Sequence, residues 1–209
     1  MIINHTNIKN PYDLTKCKFL GKGNNGAVYM LPNGYALKIS YNNKNFIGEY
    51  QILEKVNGNK YFPLIFEIGQ NYMVRECVEG KLLSKYIKKH GMEKKLALKI
   101  IDMLKEFYKL DFKKIDIRCR DIFVQKDGTL KIIDPQKFFS KKRIFPKHLS
   151  KGLYKIGVID DFQEILKKYD LILFKKWNKE INSYIRYLSK ESHKLVVLNY
   201  FKGIMKKLF

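Results

Sequence analysis

The sequence contains few cysteines, and their arrangement excludes a small disulfide-stabilised protein. Its three cysteines, Cys17, Cys77 and Cys119, are far apart and odd in number. A disulfide framework needs paired cysteines, and a structural zinc site needs closely spaced Cys and His ligands. The four histidines are scattered as well, so they form no metal-binding pattern. We therefore expect free thiols in a reducing compartment.

Long hydrophobic runs are also absent. No apolar run approaches the roughly 18–20 residues that are needed to cross a bilayer. Residues 1–5 lack the basic, apolar and small-residue segments of a secretion signal. Hydrophobic residues still make up 45% of the 209 residues, which excludes a disordered chain. The sequence predicts a cytoplasmic protein without a membrane span, large enough for one substantial core or for two lobes that share a cleft.

Acidic residues are scarce beside basic ones. There are 20 Asp and Glu against 42 Lys and Arg, which gives a formal net charge of +22. Only five of these cations are arginine, the residue preferred for bidentate recognition of phosphates and bases. The excess is spread along the chain, without a basic tail. Nucleic acid is therefore not expected as the main partner, although such a surface attracts acidic substrates.

The first third of the chain is predicted to be rich in strands. A glycine-rich bend with the pattern Gly-x-Gly-x-x-Gly precedes two short apolar runs separated by a Pro-Asn-Gly turn. Because glycine lacks a Cβ, the backbone of such a bend can approach phosphates closely. Apolar spacing then indicates one helix and two more strands. The predicted elements are strands at 27–31, 35–39, 62–68 and 72–74, and a helix at 46–56.

The rest of the chain is predicted to be mostly helical. Apolar residues recur at helical spacing in 82–90 and 96–112. A compact break at 115–121 is followed by a hairpin that turns at Lys126-Asp127-Gly128. Further apolar periodicity at 157–174 and 181–205 indicates about three more helices. The predicted fold class is α+β.

Several of these segments together resemble the protein-kinase fold, in a small form like the minimal kinase-like proteins of bacteria. The resemblance runs from about Phe19 to Gln136. It implies a single two-lobed domain, with a small antiparallel β-rich N-lobe at about 1–78 and a reduced, mostly helical C-lobe at about 79–209. The kinase signature combines a glycine loop, a strand lysine, a helix glutamate and downstream acidic residues. The positions that match its nucleotide-binding part are Gly21, Gly23, Gly26, Val28, Ala36, Lys38, Glu49, Glu76 and Val78.

The resemblance also implies roles for the matching residues. Phosphoryl transfer requires positioning and neutralisation of a dispersed negative charge. The glycine loop would cover the phosphates of ATP, Lys38 would neutralise the α- and β-phosphates, and Glu49 would orient Lys38. Backbone groups of Glu76 and Val78 would hold the adenine.

The downstream residues are similar to the catalytic and metal-binding residues of kinases. Asp116 matches the catalytic aspartate, which would accept the proton of the acceptor hydroxyl. Arg118 lies where many serine/threonine kinases carry a lysine that faces the γ-phosphate. Asp121 and Asp134 match the residues that would hold Mg²⁺, a cation that prefers oxygen ligands. The resemblance therefore implies an ATP- and Mg²⁺-dependent kinase, with a serine/threonine protein kinase as the first hypothesis.

Five departures from the kinase pattern keep other functions open. Lys114-Ile115-Asp116 replaces His-Arg-Asp, and Asp121 replaces the usual asparagine. Asp134-Pro135-Gln136 replaces Asp-Phe-Gly, and no Ala-Pro-Glu motif follows. Arg75 stands beside the predicted adenine pocket, where it would obstruct or reshape it. The alternatives are a small-molecule kinase of the same fold and a catalytically idle scaffold whose basic surface binds an anionic partner.

Each candidate residue also has a purely structural interpretation. Lys38 alone would be read as a surface lysine whose aliphatic part covers a strand. Asp116 and Asp121 would cap the elements that follow them, and Asp134 would start a turn. Only the order and context of the whole set favour the kinase hypothesis over these separate explanations.

Overall fold

A computed structural model describes residues 11–135, 138–139 and 141–208, with side chains of the last helix described through residue 192. Residues 1–5, on which the absence of a secretion signal rests, and Gln136 lie outside the described residues. Within the described part, the fold is α+β, with a five-stranded antiparallel sheet and six α-helices. None of the described helices combines the length and the apolar character that a membrane crossing requires.

The five-stranded sheet is built from the first third of the chain, and one helix is inserted between its third and fourth strands. The strands and the helix are β1 (Lys18–Gly23), β2 (Gly26–Met30), β3 (Ala36–Ser40), α1 (Asn43–Lys55), β4 (Ile65–Ile68) and β5 (Tyr72–Arg75). The strand order in the sheet is β1-β2-β3-β5-β4, with every neighbouring pair antiparallel. The strand predicted at 62–68 thus begins only at Ile65.

Local sequence explains how α1 begins and which face it buries. Asn42 has extended backbone angles, and its side chain accepts a hydrogen bond from the amide of Asn45 at 3.1 Å, which caps the helix. The buried face carries Phe46, Ile52 and Leu53. It also carries Glu49, so the helix places a carboxylate inside the protein.

The remaining elements form a short three-stranded sheet and five helices. The elements are β6 (Lys81–Leu82), α2 (Leu83–His90), α3 (Lys94–Lys109), β7 (Ile122–Val124), β8 (Leu130–Ile132), α4 (Lys147–Ile156), α5 (Ile159–Tyr169) and α6 (Leu171–Leu208). The strands of the sheet have the order β6-β7-β8. Gly157, at φ 85°, ends α4. Asp170 separates α5 from α6 and accepts a hydrogen bond from the amide of Leu173.

One large core connects α1 to the helices that follow it. Phe46 and Leu53 of α1 belong to the same buried cluster as Phe107 of α3 and Phe162 of α5. A smaller cluster, with Leu37 at its centre, covers the opposite side of the five-stranded sheet. Because the large core is continuous, the inner face of the sheet lies against the segment that contains β7 and β8. The predicted site residues lie along this junction.

Candidate functional site

Lys38 projects from the middle of the sheet into a nearly buried ionic cluster. In the sheet, Lys38 pairs with Val28 on one side and Met73 on the other. Its ammonium contacts Oε2 of Glu49, as the ion pair predicted from the sequence requires. The same ammonium lies 3.4 Å from Oδ1 of Asp134. Lys38 and Glu49 are only 7% and 5% exposed, so this lysine is not a surface residue.

Burial has a direct effect on the charge of Glu49. Removal of the carboxylate from water raises its pKa, since burial favours the neutral acid. The positive charges of Lys38 and Arg75 oppose this rise, and the negative charge of Asp134 adds to it. The ionised form of Glu49 therefore depends on its two cationic neighbours. Glu54 lies on the same helix and accepts a hydrogen bond from the hydroxyl of Tyr50.

Arg75, the last residue of β5, is directed towards this cluster. It is 5% exposed. Its Nη1 donates a hydrogen bond to the carbonyl of Ile133 at 2.7 Å and lies 3.7 Å from Oε1 of Glu49. The sequence predicted that this side chain would obstruct or reshape the adenine pocket. In the structure its guanidinium contacts α1 and the residue before Asp134.

A second ionic group joins two carboxylates through one arginine. The Nε of Arg118 contacts Oδ2 of Asp121, and its Nη2 lies 3.4 Å from Oδ2 of Asp134. Burial raises the pKa of Asp121, an effect that Arg118 opposes and Asp134 increases. A backbone hydrogen bond from Ile133 to the carbonyl of Asp121, at 3.0 Å, holds the two acidic segments together. The guanidinium thus lies between two carboxylates.

The donor set formed by Asp121 and Asp134 fits a hard divalent cation. Both residues offer carboxylate oxygens, and the positive charge of Arg118 already bridges them. Magnesium is commonly bound through one or two carboxylates, with the remaining ligands from water and phosphate. In the part of the chain that the structure describes, no group of three or more His, Cys, Asp or Glu residues is placed to hold a metal. Two carboxylates would supply only part of the coordination of such an ion.

Asp116 has a different environment from the other predicted site residues. Its carboxylate is fully buried and accepts hydrogen bonds from the amides of His148, at 2.8 Å, and Leu149, at 3.3 Å. The Nδ1 of His148 contacts its second oxygen. These bonds satisfy amides at the start of α4, which have no partner within the helix. Asp116 thus caps a helix that begins 31 positions later in the chain, and its predicted catalytic role stays a prediction.

The predicted glycine loop lies on the first two strands and is anchored to the third. Gly23 pairs with Gly26 across a tight turn. A Cβ on Gly26 would lie 2.1 Å from the carbonyl oxygen of Ile39, so only glycine fits there. The turn is tied to the end of β3 because the carbonyl of Asn25 accepts a bond from the Ser40 hydroxyl at 3.0 Å. Gly21 in β1, Val28 in β2 and Ala36 in β3 complete this part of the predicted set.

The segment predicted to hold adenine follows β5 directly. Residues 76–79 have no regular secondary structure and lead from β5 to β6. The amide of Glu76 donates to the carbonyl of Leu64 at 2.8 Å, and its carboxylate lies 2.7 Å from the ammonium of Lys131. Val78 is half-buried. No contact of the described residues brings Glu76 or Val78 into the Lys38 cluster.

Sequence reasoning missed His148 and the positions of both arginine side chains. His148 lies in a basic stretch, residues 137–151, that the sequence predicts to be irregular, whereas in the structure it belongs to α4, and nothing near it indicated a contact with Asp116. The resemblance implies that Arg118 faces the γ-phosphate; in the structure it bridges Asp121 and Asp134, and its role towards a phosphate stays a prediction. A pattern of hydrophobic spacing carries no information about such long-range polar contacts.

Comparison with known proteins adds one similarity. No protein-family model matches the chain. A curated protein of Bacillus subtilis (strain 168), "Putative serine/threonine-protein kinase YrzF", is 25% identical over 135 residues. The aligned region covers 59% of this chain and 60% of that protein, so the chain spans about three fifths of the relative's length. The similarity indicates a kinase-like relationship.

Proposed function

We propose that the chain is an ATP-dependent phosphotransferase that passes the γ-phosphoryl group to a hydroxyl acceptor. The observation that carries this proposal is the joining of Lys38, Glu49 and Asp134 in one nearly buried cluster. Two of these residues come from the first third of the chain and one from a segment about 90 positions further on. A surface lysine and an unrelated aspartate in a turn would not be expected to contact each other in this way.

Each residue of the cluster has a task in phosphoryl transfer. Lys38 offers a positive charge to the nucleotide phosphates, and Glu49 keeps that charge at one point. The turn between β1 and β2 presents backbone amide groups, which complement phosphate oxygens without needing a charge. Such preformed donors act most strongly in a site with little water.

Asp121 and Asp134 are the residues proposed to hold Mg²⁺. When bound with ATP, the metal would neutralise charge on the phosphates. Arg118 now lies between the two carboxylates, so it would have to shift when a metal is present. In its shifted position Arg118 would offer its guanidinium to the γ-phosphate, as the kinase resemblance implies.

The part of the proposed site that would bind the acceptor has fewer matching residues than the part that would bind ATP. A serine/threonine protein kinase is the first candidate, since the B. subtilis relative carries that description in its name. Asp116 would orient the acceptor hydroxyl, and this role requires that α4 releases at least one oxygen of its carboxylate. A small-molecule acceptor is retained as the alternative because the sequence lacks a peptide-positioning motif.

The proposal includes an architecture. The five-stranded sheet with α1 would form an N-lobe at about 1–78, and the helices would form a C-lobe at about 79–209, both within a single domain. ATP would bind between them, next to Lys38 and Asp134. The continuous core beneath α1 supports a close packing of the two parts.

Transfer from labelled ATP tests the proposal. The wild type is expected to label a generic protein acceptor, or itself, only in the presence of Mg²⁺. Asp134→Ala should abolish this labelling, whereas the matched control Asp160→Ala, at an exposed position in the first turn of α5, should keep it. Equal labelling by wild type and Asp134→Ala would refute the proposal.

A second candidate function is a nucleotide-binding protein that transfers no phosphoryl group. The complete burial of Asp116 favours it, since a carboxylate engaged by α4 has no free oxygen for an acceptor. Thermal unfolding separates the two candidates. Stabilisation by ATP with Mg²⁺, together with no transfer to proteins or to a panel of metabolites, would support the second candidate.

A further inference from the structure

Arg75 is a buried cation that the proposed phosphate site does not itself require. In the sheet, Ala36 pairs with Arg75 and Lys38 pairs with Met73. Because alternate residues of a strand share a face, Arg75 and Lys38 lie on the same face of the sheet. A guanidinium that is only 5% exposed is costly unless its charge is matched, so its contacts deserve an explanation.

The contacts of Arg75 come from two separate parts of the chain. Its Nη1 donates to the carbonyl of Ile133 at 2.7 Å, and Ile133 directly precedes Asp134. The same nitrogen lies 3.7 Å from Oε1 of Glu49, which belongs to α1. One side chain on β5 therefore connects α1 to the segment that carries Asp134.

The two oxygens of Glu49 are divided between the two cations. Oε2 contacts Lys38, while Oε1 is buried and has no hydrogen-bond partner among the described residues. The guanidinium of Arg75 lies 3.7 Å from Oε1. Without Arg75, the buried carboxylate of Glu49 would have one cation beside it instead of two, so the ionised form that pairs with Lys38 would be less favoured.

We propose that Arg75 is a positioning residue that holds Glu49 and the segment before Asp134 in fixed relation to Lys38. This inference rests on the proposed function, since it assigns Arg75 to the same phosphate site. In this role Arg75 keeps α1 and Asp134 together at all times, so the site stays assembled without phosphorylation of the chain. The replacement of Phe and Gly after Asp134 by Pro135 and Gln136 agrees with a segment that does not switch.

The first test measures coupling between Arg75 and Glu49 in the protein without nucleotide. Urea unfolding is followed for wild type, Arg75→Met, Glu49→Gln and the double variant. Arg75→Met is expected to lower the urea midpoint of the wild type. The same substitution is expected to lower the midpoint less in the Glu49→Gln background, because glutamine carries no charge. Arg186→Met is the matched control, because it removes an exposed arginine from α6 and should leave the midpoint unchanged.

Additive effects of the two substitutions would overturn the proposal. If Arg75→Met alone does not fold, the double variant decides the question. Recovery of folding in Arg75→Met/Glu49→Gln supports a charge coupling, and no recovery overturns it.

Hydrogen exchange supplies a second readout that needs no activity. The amide of Ile133 donates to the carbonyl of Asp121 at 3.0 Å, so its exchange rate reports on the segment before Asp134. Arg75→Met should accelerate this exchange, and Arg75→Lys should restore part of the protection because it keeps the charge. Unchanged exchange in Arg75→Met would overturn the link to Asp134.

Steady-state kinetics then separate positioning from simple stability. At a temperature where all variants are folded, Arg75→Met is expected to lower kcat about a hundredfold, the scale of a misplaced catalytic geometry, with little change in KM for ATP. Arg75→Lys should recover part of kcat. An unchanged kcat in Arg75→Met would overturn the proposal. If the wild type shows no transfer at all, the proposed function fails, while the unfolding and exchange results still judge the role of Arg75.

Discussion

Asp116 offers the sharpest test, because its structural role and its predicted catalytic role make different demands on its side chain. Its carboxylate caps α4 through the amides of His148 and Leu149 and also contacts the ring of His148. Asp116→Ala removes all of these bonds. Asp116→Asn keeps an oxygen for the amides but removes the charge. The pair of variants therefore separates capping from charge.

The expected losses follow from the contacts. Loss of a helix cap costs about 1 kcal/mol of unfolding free energy. Loss of a buried hydrogen bond to a charged group costs about 1.5–3 kcal/mol more. Asp116→Ala should therefore lose about 2.5–4 kcal/mol in urea unfolding, and Asp116→Asn clearly less. His148→Ala removes only the ring contact, so it should fall between Asp116→Ala and wild type.

Phosphoryl transfer by the same variants tests the catalytic role. If Asp116 accepts the acceptor proton, Asp116→Asn should lose about 10²–10⁴-fold in kcat, although it remains folded. The His148→Ala variant should retain phosphoryl transfer. This substitution removes a side chain that contacts the Asp116 carboxylate, and it removes no catalytic group. Two results would refute this reasoning: an Asp116→Ala protein as stable as wild type, or an Asp116→Asn protein with unchanged transfer.

Three further predictions concern single sites. Burial raises the pKa of Glu49, so the stability that this carboxyl group contributes is present below pH 4.5 and is lost as the pH rises. In urea unfolding measured from acid to neutral pH, the Glu49→Gln variant should not show this loss of stability. Parallel pH profiles for the wild type and Glu49→Gln would contradict the prediction. Gly26→Ala should destabilise by about 1–3 kcal/mol, because its Cβ would meet the Ile39 carbonyl, whereas Gly21→Ala should not. Burial raises the pKa of Cys119 to about 12, so iodoacetamide should label it only after unfolding, as mass spectrometry can verify.

The local elements could be predicted from sequence because their signals are short-range. Alternation and turn residues indicated β2 and β3 around the Pro-Asn-Gly turn, and helical spacing indicated α1. The order of Lys38, Glu49 and Asp134 predicted their meeting through the kinase resemblance. Even there, spacing misplaced a boundary: the helix predicted at 46–56 begins at Asn43.

The contacts of Asp116 and Arg75 could not be predicted, since they are polar contacts between segments that share no sequence signal. Asp116 meets His148 because α4 begins beside it. The kinase resemblance places Arg75 beside the predicted adenine pocket, whereas the direction of its side chain is decided by a carboxylate on α1 and a carbonyl at Ile133. A buried cation turns towards whatever anionic groups the fold supplies, because an unmatched charge costs more than a bent side chain. The same physical rule explains both side chains: Asp116 and Arg75 are each fixed by partners far away in sequence, so their roles follow from the tertiary contacts.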